Sequence, residues 1–165
     1  MDADLALLIL RVVLGVVFVM HGWNHGFGGG GLDGTTRWFD SLGLRPARIH
    51  ALVSTYLELA VGAALIAGFL TPFAAAGAIG IMVTAFVTVH RPNGFFIFRD
   101  GYEYVFVVTA ALMSLAMLGP GAWSLDDAIG IRGDIVGWEW GAGALVLGVV
   151  STAAMLAACW RPPQK

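Results

Sequence analysis

The sequence predicts an all-α membrane protein, a bundle of transmembrane helices with almost no soluble mass. Three observations lead there. Of its 165 residues, 58% are hydrophobic and only 12% charged, against about 25% charged in a typical soluble domain. Mean hydropathy is +0.81. The apolar residues are also gathered into five long runs. Nine Lys/Arg and eleven Asp/Glu cannot coat a chain of this size, so its outer face is expected to meet lipid.

A bilayer core about 30 Å thick takes about 20 apolar residues in a helix. The runs fall at about residues 5–22, 50–70, 72–90, 102–118 and 138–160. Acidic Asp2 and Asp4 precede the first run, where a signal peptide would carry basic residues. No Ala-x-Ala-like cleavage site follows it, so it reads as a retained helix. Between it and the second run, Gly28, Gly29, Gly30 and Gly31 lower local order. They are followed by a segment at about 34–42 with Trp38, Phe39 and Leu42 on one side. That pattern predicts a short amphipathic helix at the membrane surface, a cap over the bundle with a gating lid as the alternative. Only Thr71 separates the second run from Pro72. The second and third helices must therefore form a tight antiparallel hairpin, with Pro72 suited to a first helical turn. On the last run, Gly137, Gly141, Gly143 and Gly148 predict close packing on another helix, in this chain or a neighbour.

With five spans, Arg37, Arg45, Arg48, Arg91, Arg99, Arg161 and Lys165 fall on one side. Arg132 falls on the other with Asp2, Asp4, Asp126, Asp127 and Asp134. This bias predicts a multi-pass cell-membrane protein with its N-terminus outside and its C-terminus cytoplasmic. With four spans only the C-terminus would change sides. Lys165 is the sole lysine and there is no basic tract, so nucleic acid is excluded as a partner. Cys159 is the only cysteine. It permits no internal disulfide and reads as an inert packing residue.

Charges inside a span need a partner or a role. Arg11 is expected about 9 Å, and Glu58 about 16 Å, from the same outer surface. A buried Arg11–Glu58 ion pair follows, which would either lock the bundle or orient a proton-carrying or quinone-like ligand. Arg11, Phe18, Gly22 and His25 fall within about 60° on the first helix, and Gly15 and Gly22 permit close approach. At the other end, His21 and His25 are i,i+4, with His50, His90 and Glu103 near the same surface. Such a cluster could ligate iron, copper or zinc, but no spacing recruits His50 or His90, so haem or metal is the weaker reading. Capping of helix ends and a quinone-headgroup or proton-relay site are the alternatives. Phe95, Phe96, Phe98, Tyr102 and Tyr104 read as an interfacial belt. No P-loop, dinucleotide fingerprint or nucleophile elbow is present.

Several of these features recur in a known family. Arg11 with His21-Gly22, Phe39 to Leu44 (FDSLGL), Glu58 with Gly62 and Gly68, and Gly119 to Asp126 (GPGAWSLD) together resemble the DoxX family of small integral membrane proteins. The resemblance implies a four-transmembrane-helix bundle, here with an additional C-terminal transmembrane helix. It also implies membership of a quinone- or thiol-linked redox assembly, since relatives include small subunits of a thiosulfate:quinone oxidoreductase. The family often has a lysine where this chain has His25, which argues against a site built on a permanent positive charge. The expectation is a membrane subunit or partner of a redox complex. Arg11, His21, His25, Glu58, His90 and Glu103 are its candidate cofactor-binding residues, and a quinone is the candidate cofactor. The alternative is a non-enzymatic scaffold or assembly factor. The expected partners are the lipid bilayer and either other membrane proteins or further copies of the chain.

Overall fold

A computed structural model of the chain describes residues 2–163; Lys165, used in the charge count above, lies outside them. The described residues form seven α-helices: α1 (Asp2–Phe27), α2 (Gly31–Ser41), α3 (Ala47–Ala67), α4 (Thr71–Ala85), α5 (Glu103–Leu118), α6 (Leu125–Ala128) and α7 (Trp138–Cys159). The only strand-like pairing among them is an isolated bridge between Leu44 and Trp160.

Four helical segments are long and apolar enough to cross a membrane: Asp2–Phe27, Ala47–Ala67, Thr71–Asn93 and Trp138–Cys159. The expected span at 102–118 is shorter. Helix α5 has 16 residues, about 24 Å at 1.5 Å rise. It packs against α4 and α7 and exposes Phe106, Val107 and Leu118 on its other side. Val108, Leu112, Leu115 and Ala116 on it are fully or nearly fully buried. The C-terminal segment that the sequence adds to the four-helix pattern is α7. Its far end returns to the arginine-rich side, where Arg45 N–H donates to the Cys159 carbonyl at 2.8 Å and Arg161 N–H to that of Gly43 at 2.8 Å.

Small residues set the packing. Helices α1 and α3 pair antiparallel, and a Cβ added at Gly15 would lie 2.6 Å from the Gly62 carbonyl oxygen. One added at Gly62 would lie 2.7 Å from that of Gly15, and one at Gly22 would lie 2.8 Å from that of Thr55. The backbones touch directly, as membrane helices do when glycine allows it. Gly148 of α7 abuts Ala76 and Ile79 of α4, and Gly141 abuts Met113 and Met117 of α5. Gly143 meets nothing, and Gly137 sits at φ 135° before α7. The glycine faces of α7 are thus largely filled within the chain.

The amphipathic segment is α2. Its Phe39 and Thr35 are buried, and Phe39 joins Leu44, Ala47, Ala51 and Leu156 in a small core of their own. It lies over the arginine-rich ends of α1 and α3 as a packed cap, tied by Thr35 Oγ1 donating to the His25 carbonyl at 2.8 Å.

Candidate functional site

Two polar centres occupy opposite ends of the bundle. The first lies at the acidic end, around the α3–α4 turn. A helix end leaves carbonyls at its C-terminus and N–H groups at its N-terminus without partners; the Gly68 N–H (φ 64°) meets the Leu65 carbonyl at 3.1 Å and the Phe69 N–H that of Ala64 at 2.9 Å, and side chains meet others. Arg11 is fully buried and donates to the carbonyls of Leu65 (3.4 Å) and Ile66 (3.0 Å), and to that of Trp123 (2.6 Å). Asp126, also fully buried, accepts from the Leu70 N–H (2.7 Å), the Thr71 N–H (3.0 Å) and the Thr71 hydroxyl (2.8 Å). A basic group on outgoing carbonyls and an acidic group on incoming N–H groups also match the two helix dipoles. Around them the segment ending at Asp126 is pinned by Ala122 N–H donating to Asp4 (2.8 Å) and Asp126 N–H to the Gly68 carbonyl (2.9 Å).

Arg11 and Glu58 do not form the expected ion pair. The glycine contacts fix the register: Gly15 meets Gly62 and Gly22 meets Thr55. At that register Arg11 faces Ile66, whose carbonyl it binds. Glu58 lies about eight residues back along α3, some 12 Å at the helical rise. The carboxylate whose charge reaches Arg11 is Asp126.

The second centre surrounds Glu58. A cavity of about 750 Å³ opens between α1, α3, α4 and α7 beneath α2, lined by His21, His25, His50, Ser54, Glu58 and His90 among mainly apolar side chains. Glu58 is 3% exposed. Its Oε1 accepts from the Ser54 hydroxyl at 2.6 Å and lies 3.6 Å from His25 Nε2. The antiparallel pairing explains the convergence. Side chains lean toward the N-terminus of their own helix, so His25 leans along α1 toward Gly22, and Glu58 leans along α3 toward Ser54. His25 is held by stacking on Trp38 (centroids 5.7 Å, 17°) and by the edge of Phe39 (5.9 Å). A second recess of about 390 Å³ shares His21, His25 and Trp38 with the first.

Glu58 Oε2 is fully buried and makes no hydrogen bond among the described residues. An unmet buried polar atom costs about 1–3 kcal/mol, more if charged. Arg11 Nε is likewise unpaired, but the other two nitrogens of that guanidinium are bonded to carbonyls.

The remaining candidates divide. His21 is exposed at the rim of both recesses. His90 ends a π-helical turn, Phe86–His90, that continues α4 along the cavity wall. Such turns widen a helix and often occur at functional sites. His90 Nδ1 is 2.7 Å from the Asp100 carbonyl. Glu103 lies off the cavity; it accepts from the Ile97 N–H at 3.0 Å and so shapes the aromatic loop before α5. Among the described residues no three His, Cys, Asp or Glu side chains assemble as a metal-ligand set. The candidate list omitted Ser54 and Asp126. Ser54 was available as the i−4 neighbour of Glu58 on one helix face. Asp126 had only its place in the GPGAWSLD segment to mark it.

Comparison with known proteins agrees with this architecture. The DoxX family model matches residues 6–91, more than half of the chain. The chain belongs to the DoxX family. It is also 29% identical over 129 residues to the inner membrane protein YqjF of Escherichia coli (strain K12), covering 74% of this chain and 91% of that one. No solved structure matches. The stretch matching the DoxX model contains Arg11, His21, His25, Glu58 and His90. Glu103 and the whole of α5 and α7 lie beyond it.

Proposed function

We propose that this DoxX-family chain is a membrane-embedded partner of a redox system, and that it binds a quinone-type ring in the Glu58 cavity. The observation that carries the reading is Glu58, whose Oε2 is buried without a hydrogen-bond partner, in the wall of an apolar cavity that also offers Ser54 and the imidazole of His25. A quinone or quinol head needs one or two hydrogen-bonding groups within an apolar wall. With the carboxyl group turned toward the cavity, Oε2 would accept from the hydroxyl of a quinol, and the His25 imidazole can donate to a ring oxygen. In this role the chain binds and orients the ring. His21 and His90, on the cavity wall, are further contacts in this proposal, and electrons would come from a partner protein. With the arginine-rich side in the cytoplasm, the cavity lies in the inner half of the membrane.

Glu58→Gln keeps the size of the side chain and can still accept from Ser54, so the fold should be retained. Equilibrium binding of a tail-less benzoquinol to the protein in lipid nanodiscs should weaken about tenfold or more, as expected when a hydrogen bond to a charged group is lost. Unchanged affinity with unchanged melting temperature would contradict the proposal.

A further inference from the structure

The Glu58 cavity does not end at the polar cluster. It continues as a groove along the lipid-facing side of α4, floored by Gly77 and Gly80 and reaching Phe73. Leu57 of α3 forms one wall and Leu147 of α7 the other. These flanking side chains are lipid-exposed in the bundle: Leu57 is 39%, Leu147 50% and Phe73 52% exposed. Gly77 and Gly80 let α3 and α7 pack closely on either side of α4. A Cβ at Gly77 would come within 2.9 Å of Val61, and one at Gly80 within 3.1 Å of Thr152. From Phe73 to Gly80 it runs about 10 Å along the helix.

Resting on the proposed function, we infer that the ligand of this cavity carries a long apolar tail and enters sideways from the bilayer, with its tail lying in the α4 groove and its ring at Glu58. Lipid chains are as apolar as leucine, so hydrophobicity alone does not draw a tail out of the bilayer into the groove. What favours the ligand's own tail there is continuity. The groove residues and the Glu58 cluster line one continuous cavity, so a head bound at Glu58 leaves its tail along Leu57, Phe73 and Leu147. A phospholipid chain would occupy the same groove with no head at Glu58.

The test is photolabelling in phosphatidylcholine nanodiscs, with a benzoquinone bearing a decyl tail that ends in a diazirine. Labelled peptides are mapped by mass spectrometry. The expected label concentrates on Leu57, Phe73 and Leu147. It falls several-fold with excess tail-less benzoquinone and also in Leu147→Trp, which narrows the groove from an exposed position. Label spread equally over the lipid face of α1, at Val13 and Met20, overturns the inference. So does groove label that excess tail-less benzoquinone leaves unchanged, because the groove then holds lipid chains in general. In both cases binding of the tail-less ring still reports on the Glu58 site separately; if the ring itself does not bind, both readings fall.

Discussion

Asp126→Ala should be among the most destabilising single substitutions in this protein. The side chain is fully buried and satisfies two backbone N–H groups and a hydroxyl at the start of α4. None of the three finds a replacement inside the α3–α4 turn. Removing one member of a buried charged network costs about 3–5 kcal/mol, which for a chain of this size lowers the melting temperature by on the order of 10 °C. Asp126→Asn keeps one acceptor oxygen and should fall between. Thermal unfolding in detergent, followed by helical circular dichroism, checks the order. A melting temperature for Asp126→Ala within about 2 °C of wild type, less than 1 kcal/mol is worth, would mean that the turn does not depend on this carboxylate.

Gly62→Leu should have a comparable effect by a different route. The new Cβ would sit 2.7 Å from the Gly15 carbonyl oxygen and 2.8 Å from the Val19 nitrogen. Both are backbone atoms of α1, so no rotamer change can make room. The helices must separate, and the direct contact between their backbones is lost along the whole interface. Overpacking of this kind costs about 1–3 kcal/mol and occasionally more, and the lost α1–α3 packing puts this site at the upper end. Separation would also pull His25 from Glu58, which lie 3.6 Å apart across the same interface. Gly143→Leu is the matched control. Nothing lies within 4 Å of its Cβ position, so its melting temperature should stay at the wild-type value. Equal losses at the two positions would show that side-chain bulk in the bilayer, and not helix approach, decides the outcome.

The helices were legible because lipid imposes a long apolar run on each, and the α3–α4 hairpin followed from its connection through Thr71. Helix α5 is 16 residues long, shorter than the other apolar runs, and it carries the chain back from the arginine-rich end to the acidic end. The face of α1 carrying Arg11, Phe18 and Gly22 was read correctly, and all three are buried. The error lay in what that face meets. Depth along an apolar run puts Arg11 against Glu58, whereas the register is set where Gly15 meets Gly62 and Gly22 meets Thr55. Those glycines were visible, but pairing them required knowing that both backbones touch there. Asp126 was missed for a related reason. It comes from the short helix α6, 55 residues beyond Thr71, to cap another helix, and long-range capping has no local pattern. Glu58 was found because a carboxyl group in an apolar run is conspicuous wherever its partners lie.

The central claim is that Arg11 and Glu58 belong to two separate sites, one holding the α3–α4 turn and one facing the cavity. A double-mutant cycle tests it most directly, with unfolding free energies measured for wild type, Arg11→Met, Glu58→Gln and the double variant. Independent sites add to within about 0.5 kcal/mol, and additivity is the expected result, with the loss concentrated in Arg11→Met. A coupling energy of about 3 kcal/mol, as befits a broken buried ion pair, would contradict it and restore the Arg11–Glu58 pair.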